Sequence, residues 1–458
     1  MNYSDLFHII EDKNRIKLGK DIEDKYLSDA LNRNKGEADA LVFPINTDEV
    51  SSIMKFAYES NIAVTPRGAG TGLVGATIPT KGGIILDVSL MKNILELDEN
   101  TLTVTVEPGI LLTELQKFVE EKELFYPPDP GEKNASIGGN ISTNAGGMRA
   151  VKYGVTRDYV MGLEVVLADG SILNLGGKII KNSSGLDIKD LIIGSEGTLG
   201  IITKAILKLI PKPKRSISAI IPFNSLEEGI DTVIKIIKKN ANPTAIEFME
   251  KDVIENAEKF LNLKFPYGKG EAYLLLTFDG DEEFEIESNY NKVREVALQN
   301  NALDFILLNK KEDIERTWKI RGALVTAVEA VSEQEPIDIV VPIDRSADFI
   351  NYTKVAEKEF GIKISSFGHA GDGNVHLCVI RNGMEESQWN EKSKLLLQAL
   401  YRKGKELNGL PSGEHGIGLN KKPYFIDVTN EINVEYMRRI KKAFDEKGIL
   451  NSGKSYSE

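Results

Sequence analysis

Apolar and polar residues along this chain repeat on two different periods. Between Thr47 and Asn61 (TDEVSSIMKFAYESN) the apolar positions Val50, Ile53, Met54 and Ala57 fall three and four apart, which predicts an amphipathic helix with Thr47 as its candidate cap. LLTELQKFVEEKE fits a second helix of the same kind. Short runs rich in apolar and β-branched residues, IAVTP, GGIILDVS and LTVTVEPG, read as strands. LEVVLADGSIL reads as two strands turning at Asp169-Gly170, a favoured hairpin pair, and GTLGIITKAILKLI as another β-rich run. The opening stretch, to about Gly36, is charged and helix-like.

The texture changes at PKPKRS, Pro211 to Ser216, where two prolines and three basic residues cannot continue a central strand. Beyond it, helical and strand patterns alternate at greater length: EEGIDTVIKIIKKN, AIEFME, EAYLLLTFDG, a charged helix, then DFILLN. That is an α+β pattern without a clear internal repeat. At 458 residues the chain exceeds one ordinary core, so we divide it into a region ending at 212 and another from 213 to 458.

Composition narrows the class of function. Apolar residues make up 41% and charged residues 28%, a globular balance. Sixty-nine acidic against 57 basic residues give a net charge of −12, which argues against nucleic acid as a partner. The opening residues contain no apolar run of signal-peptide or spanning length, and the single cysteine, Cys378, forms no internal disulfide. A cytoplasmic protein without a transmembrane segment is therefore expected, and a homo-oligomer is compatible with the same features.

Three glycine-rich segments lie in the first region. PRGAGTGLVGA (Pro66 to Ala76) contains Gly70-x-Gly72-x-x-Gly75, formally the dinucleotide fingerprint. That fingerprint needs a helix to open at the loop, and here Pro79 and Gly82-Gly83 follow at once, which argues against a nicotinamide-binding unit. Its glycine density instead suits backbone amides turned inward as an anion nest, with Arg67 beside it to add charge. PPDPGEKNASIGGNISTNAGG (Pro127 to Gly147) has little apolar content and is long for a surface loop. Its small side chains (Ser136, Ser142, Thr143) and amides (Asn140, Asn144) suit a chain wrapped around a large polar ligand. GSEGTLGIIT (Gly194 to Thr203) is the third. Together they predict a cofactor laid along an extended groove, of a kind that the pattern leaves open.

These segments, in this order, resemble the FAD-binding domain of the vanillyl-alcohol-oxidase and p-cresol-methylhydroxylase superfamily. With the opening stretch, 1–36, read as a helical segment, the resemblance implies a two-part FAD-binding domain over 37–212 and, over 213–458, an α+β substrate (cap) domain with an antiparallel sheet. That domain would carry a metal site, and its C-terminal helices would return to the FAD domain. It places the FAD pyrophosphate over the Arg67 to Thr71 loop. The cofactor contacts it implies are Pro66, Arg67, Gly68, Ala69, Gly70, Thr71 and Gly72 in the first segment. In and after the second they are Pro130, Ser136, Gly138, Gly139, Asn140, Ser142, Thr143, Asn144, Gly146, Gly147 and Gly154. Glu196, Gly197, Gly200, Ile201, Ile202 and Asn451 complete the set. None of the three segments holds a histidine or cysteine to tether the flavin, so FAD is expected to be non-covalent.

Three of the four histidines fall between positions 369 and 415. In SSFGHAGDGNVHLCVI, Asp372-Gly373 reads as a two-residue hairpin turn, which pairs His369 with His376 on one face, suited to sharing a metal ion. In PSGEHGIG, neighbouring Glu414 and His415 diverge in direction and so take different roles. Glu414 completes a His-His-Glu set with open positions for substrate. His415 is left as proton acceptor, since an unperturbed imidazole titrates near ~6.5. Zinc, iron and manganese, and also cobalt, tolerate such ligands, so the identity of the one divalent metal stays open.

The same motifs resemble the carboxy-terminal domain of FAD-linked 2-hydroxy-acid dehydrogenases, whose HAGDGNVH and GEHG elements supply metal ligands and a catalytic histidine at the positions of His369, His376, Glu414 and His415. The resemblance runs from about residue 37 to Lys454 and is nearest to D-lactate dehydrogenases that pass electrons to an electron-transferring flavoprotein. It implies a substrate-carboxylate arginine in the WxxR pattern, here Arg321, and Asn374 as a further substrate contact. Two departures stand out. Where hydroxyglutarate-type members carry a basic residue shortly before DxxVP, SEQEPIDIVVP is acidic, which favours a lactate- or glycolate-like substrate over a dicarboxylate. The tail reads ILNSGK where the family commonly has proline after the asparagine. A non-oxidative flavoprotein of the alkyl-glycerone-phosphate-synthase type and a non-catalytic flavin subunit of a complex remain as alternatives.

Overall fold

The structure, a computed structural model, describes residues 3–457. The chain separates into two compact units, one of Met1–Gly146, Val155–Lys212 and Glu414–Glu458, the other of Gly147–Gly154 and Pro213–Gly413. Among the described residues no helix is long and apolar enough to cross a membrane.

In the first unit, strands Ile16–Leu18, Ala40–Val42, Ile84–Asp87 and Val64–Arg67 form a four-stranded sheet in that order, parallel except for its first pair. A five-stranded antiparallel sheet runs Ile94–Asp98, Thr103–Val106, Ile201–Lys208, Val160–Val166, Ile172–Gly176. Helix Thr47–Glu59 buries Val50, Ile53, Met54 and Ala57 in a core shared with Ile84, Leu86, Val166 and Ile201. Burying Val50, Ile53 or Met54 contributes about 1.5–3 kcal/mol each by removing the side chain from water. Its cap is Asn46 rather than Thr47: the Asn46 side chain accepts from the Glu49 amide, and Thr47 is already helical.

Two further expectations are corrected here. The described residues 3–36 are not a helical segment. They supply one four-residue helix, Leu6–Ile9, three 3-10 turns and the edge strand Ile16–Leu18, because their apolar residues are too sparse for a helical stripe and pair instead with the sheet. The long segment after Pro127 is not all loop: Ser136 caps helix Ile137–Thr143, accepting from the Gly139 amide. Its glycines are tolerated for packing, since a Cβ on Gly138 would lie 2.7 Å from Pro108.

The second unit is built on a seven-stranded antiparallel sheet. Its order is Ile306–Leu308, Arg215–Phe223, Ala272–Gly280, Ala245–Glu250, Lys363–His369, Asn374–Ile380, Gln334–Val340. One face packs under helices Lys251–Leu261, Lys311–Gly322 and Leu324–Glu329, with Ile220, Met249, Leu275, Phe367 and Cys378 in that core. The other is covered by helices Leu226–Lys238 and Ser346–Phe360. Leu274, Leu275 and Leu276 are all fully buried, which is why this strand shows no polar alternation.

Candidate functional site

The three glycine-rich segments, far apart in sequence, are knitted together within the first unit. The Ala69 amide donates to Ser136 Oγ at 3.2 Å, and a Cβ on Gly68 would lie 2.3 Å from that oxygen. The Glu196 amide donates to Ser142 O at 2.8 Å, the Gly194 amide to Ile141 O at 3.0 Å, and a Cβ on Gly197 would meet Pro66 at 2.6 Å. At Gly68 and Gly197 a side chain would collide with Ser136 and Pro66 of a neighbouring segment, so these two positions suit glycine.

The Arg67 guanidinium is engaged behind the loop, donating to Ser28 O, Lys25 O and Thr77 Oγ1, and a Cβ on Gly70 would lie 2.1 Å from it. It braces the loop from the protein side. The amides of Gly70, Thr71 and Gly72 donate to no group among the described residues, and Asn140 Nδ2 is buried without a partner. Donors left open beside close-packed glycines fit an anionic, polar cofactor such as FAD.

Other expected cofactor residues have structural engagements. Glu196 and Asn451 bind one another, Asn451 Nδ2 donating to Glu196 O at 2.7 Å and to Ala76 O at 3.1 Å. A Cβ on Gly200 would meet Val165 at 2.4 Å, and Ile201 and Ile202 open the strand that follows. Pro130 lies in a buried run; Thr143 and Asn144 end the Ser136-capped helix; Gly146 packs near Val155. Gly147 and Gly154 fall in the second unit, on either side of helix Ala150–Tyr153.

In the second unit the polar residues form two adjacent rows on one face of the sheet. The two-residue turn expected at Asp372-Gly373 is corrected: four residues, Ala370 to Gly373, link the strands, so His369 pairs with Asn374 and His376 with Phe367. The loop is longer because it is stitched into its surroundings. The Gly371 amide donates to Ile246 O, the Asn374 amide to Asp372 Oδ1, and a Cβ on Gly373 (φ +79°) would lie 2.1 Å from Val341 O. The shift is two residues, and side chains alternate with period two, so both histidines keep the same face. Their rings lie 5.0 Å apart at 85°, and the His376 ring stacks on Phe367 at 5.3 Å.

Across the strands, Glu247 stands opposite His369, and Asp338 opposite His376. Sequence reading missed both; the available signal was a carboxylate flanked on both sides by apolar residues in each of the runs AIEFM and PIDIVV. Glu247 is fully buried and joins two expected site residues: Oε1 lies 2.7 Å from His369 Nδ1, and Oε2 accepts from Arg321 Nε at 2.8 Å. Burial alone would raise its pKa, but the charges of His369 and Arg321 outweigh this and hold the carboxyl below its ordinary range. Arg321 is supplied by helix Lys311–Gly322 and also lies over the Phe367 ring at 5.2 Å. Asn374 Nδ2 donates to Asp338 Oδ1 at 2.7 Å, which leaves the amide oxygen for other contacts.

A metal fits this row. Glu247 sits against Nδ1 of His369, as a carboxylate does behind a metal-bound imidazole whose other ring nitrogen takes the metal. Asp338 also fixes the start of the GEHG segment, accepting from Ser412 Oγ at 2.7 Å and the Gly413 amide at 3.2 Å. Glu414 and His415 follow directly and belong to the first unit, with His415 Nε2 4.0 Å from Glu414 Oε1.

Comparison with known proteins identifies the family. Residues 38–176 match the family described as "FAD binding domain", and residues 212–455 match "FAD linked oxidases, C-terminal domain". The chain is 42% identical to a D-lactate dehydrogenase of Anaerostipes hadrus, over 96% of this chain and 94% of that protein. It is 37% identical to the glycolate oxidase subunit GlcD of Bacillus subtilis (strain 168), over 94% of this chain and 92% of that protein. Substrate-bound p-cresol methylhydroxylase shares the fold, with a TM-score of 0.80 at 15% identity over 99% of this chain and 96% of that one. With an FAD-binding domain ahead of an antiparallel-sheet domain, the chain belongs to the FAD-linked oxidases, in their group of D-lactate dehydrogenases and related flavin-dependent 2-hydroxy-acid dehydrogenases.

Proposed function

We propose that this protein oxidises a small D-2-hydroxy acid, lactate- or glycolate-like, to the 2-oxo acid, using non-covalent FAD and one divalent metal ion. The observation that carries this reading is the row Arg321, Glu247, His369 on one sheet face with His376 beside it. It sets a carboxylate-binding cation next to two oriented imidazoles. The relatives' names, D-lactate dehydrogenase and glycolate oxidase subunit, support the substrate class.

His369, His376 and Glu414 hold the metal, which is zinc, iron or manganese. Bound there, a divalent ion supplies a Lewis acid that lowers the pKa of a 2-hydroxyl, and FAD supplies the two-electron acceptor. Arg321 keeps its Nη1 edge for the substrate carboxylate while Nε and Nη2 stay on Glu247. The Asn374 amide oxygen is positioned as a further substrate contact. His415 takes the hydroxyl proton. The one cysteine, Cys378, is buried, so no dithiol relay within the chain reoxidises the flavin. Electrons pass to an external carrier, such as an electron-transferring flavoprotein.

With an artificial dye as acceptor, D-lactate and glycolate should turn over, while L-lactate and D-2-hydroxyglutarate should be poor substrates. A preference for the L enantiomer or for the dicarboxylate would sink the substrate assignment.

Glu247→Gln is expected to weaken metal binding by about 10–100-fold, because the amide no longer fixes the donor nitrogen of His369. FAD content should be unchanged. Competition against a chelator measures this directly, and wild-type affinity would remove Glu247 from the metal's support. Glu247→Ala should also destabilise the fold by about 3–5 kcal/mol in denaturant unfolding, since Arg321 is left buried and unpaired.

A further inference from the structure

Glu196 was expected to contact the cofactor; in the structure its carboxylate accepts from groups of the protein. Oε1 accepts from the Ile417 amide at 2.9 Å and from Ser455 Oγ at 2.8 Å, and Oε2 accepts from the Gly418 amide at 2.7 Å. The residue is 7% exposed and sits at φ +52°, a left-handed backbone that a non-glycine residue adopts only when its surroundings impose it. They do: its amide is held by Ser142 O and its carbonyl by Asn451 Nδ2.

The two amides it captures lie two and three residues after His415. Beyond them the chain is pinned as tightly. The Leu419 and Asn420 amides donate to Val74 O at 2.7 and 3.0 Å, and a Cβ on Gly418 (φ +51°) would lie 2.2 Å from the same oxygen. The tail locks the arrangement, the Ser455 amide donating to Gly418 O at 2.7 Å and Lys454 Nζ to Asn451 Oδ1 at 2.5 Å. A Cβ on Gly416 (φ +82°) would touch the Glu196 carboxylate at 3.1 Å, so the chain passes close over it.

We propose that Glu196 is a positioning residue for His415, fixing its backbone through Ile417 and Gly418, and that the 451–455 tail serves to hold Glu196 in place. Three donors converge on one buried carboxylate, a cost in desolvation that is offset only where the bonds are made. All the groups involved, 74–76, 142, 196, 415–420 and 451–455, belong to the first unit. The ILNSGK tail thereby acquires a purpose that its sequence alone does not reveal: it closes the far side of the loop that carries the base. This inference rests on the reading of His415 as the base.

The test compares wild type with Glu196→Gln, Glu196→Asp and Ser455→Ala, each as the full-length FAD-bound protein. A glutamine keeps the size but turns an amide NH2 toward at least one of the donors it must accept. The expected result for Glu196→Gln is full FAD content with flavin reduction slowed by about 10²-fold, the scale of an ångström-sized misplacement of a reacting group. Hydrogen exchange over 414–418 should speed up while exchange over 66–76 stays as in wild type. Ser455→Ala should change both readouts in the same direction by less, and Glu196→Asp should recover part of the rate by keeping the carboxylate. Loss of FAD from Glu196→Gln with unchanged exchange over 414–418 would show a cofactor-binding residue and overturn the proposal, as would faster exchange with reduction at the wild-type rate. Should Glu196→Gln fail to fold, Ser455→Ala and Glu196→Asp decide by the same two readouts. If the wild-type flavin is reduced by no 2-hydroxy acid, the reading of the function fails, while exchange over 414–418 still shows whether Glu196 holds the loop.

Discussion

His415→Ala is expected to stop reduction of the flavin by substrate while leaving FAD bound. A positioned general base contributes roughly 10²–10⁴-fold to proton transfer, and no other described histidine is free of a proposed metal role except His8, which lies in the short helix Leu6–Ile9. The loss should appear in the reduction rate, measured under anaerobic conditions by stopped flow, because His415 lies outside the three glycine-rich segments that fit the cofactor. The absorbance spectrum of bound flavin should match wild type. His415→Gln, which keeps a polar group of similar reach but no basic nitrogen, should be nearly as slow. Reduction at the wild-type rate in either variant would remove His415 from the proton transfer.

Stripping the metal is expected to be about as severe. A Lewis acid on the hydroxyl is worth several kcal/mol of charge stabilisation, on the order of 10³-fold in rate. Chelator treatment should therefore abolish substrate-driven flavin reduction, and adding back the right divalent ion should restore it. His376→Ala should mimic chelation without rescue by added metal. The two losses differ in one respect that makes them separable: His415→Ala should retain its metal, whereas His376→Ala should not. A His376→Ala protein that keeps stoichiometric metal by elemental analysis would refute the ligand set.

The parts of this account readable in the sequence are those with a local cause. The stripe of Val50, Ile53, Met54 and Ala57 specifies its helix regardless of what it packs against, although the cap fell one residue earlier because Asn46 is the better side-chain acceptor. The glycine density near residues 68, 138 and 197 announced close backbone approach, and each of these glycines does face a side-chain or backbone neighbour. The histidine pair was legible as a pair on one face, but its register was not. A loop of four residues rather than two depends on Ile246, in strand Ala245–Glu250, and on Val341, which directly follows strand Gln334–Val340.

The partners Glu247 and Asp338 were hidden for the same reason. A carboxylate in an apolar strand gains meaning only when sheet pairing puts it opposite His369 or His376. Arg321 illustrates the limit from the other side. The sequence marks a guanidinium on a helix; only the structure shows that half of its fork already holds Glu247.

The most direct test is anaerobic titration of the purified holoenzyme with D-lactate, followed at the flavin absorbance band, with and without prior chelation. The account predicts that one equivalent of a D-2-hydroxy acid bleaches one equivalent of bound FAD, that the chelated protein keeps its flavin but does not bleach, and that restoring the metal restores bleaching. Equal bleaching by the chelated protein would contradict it.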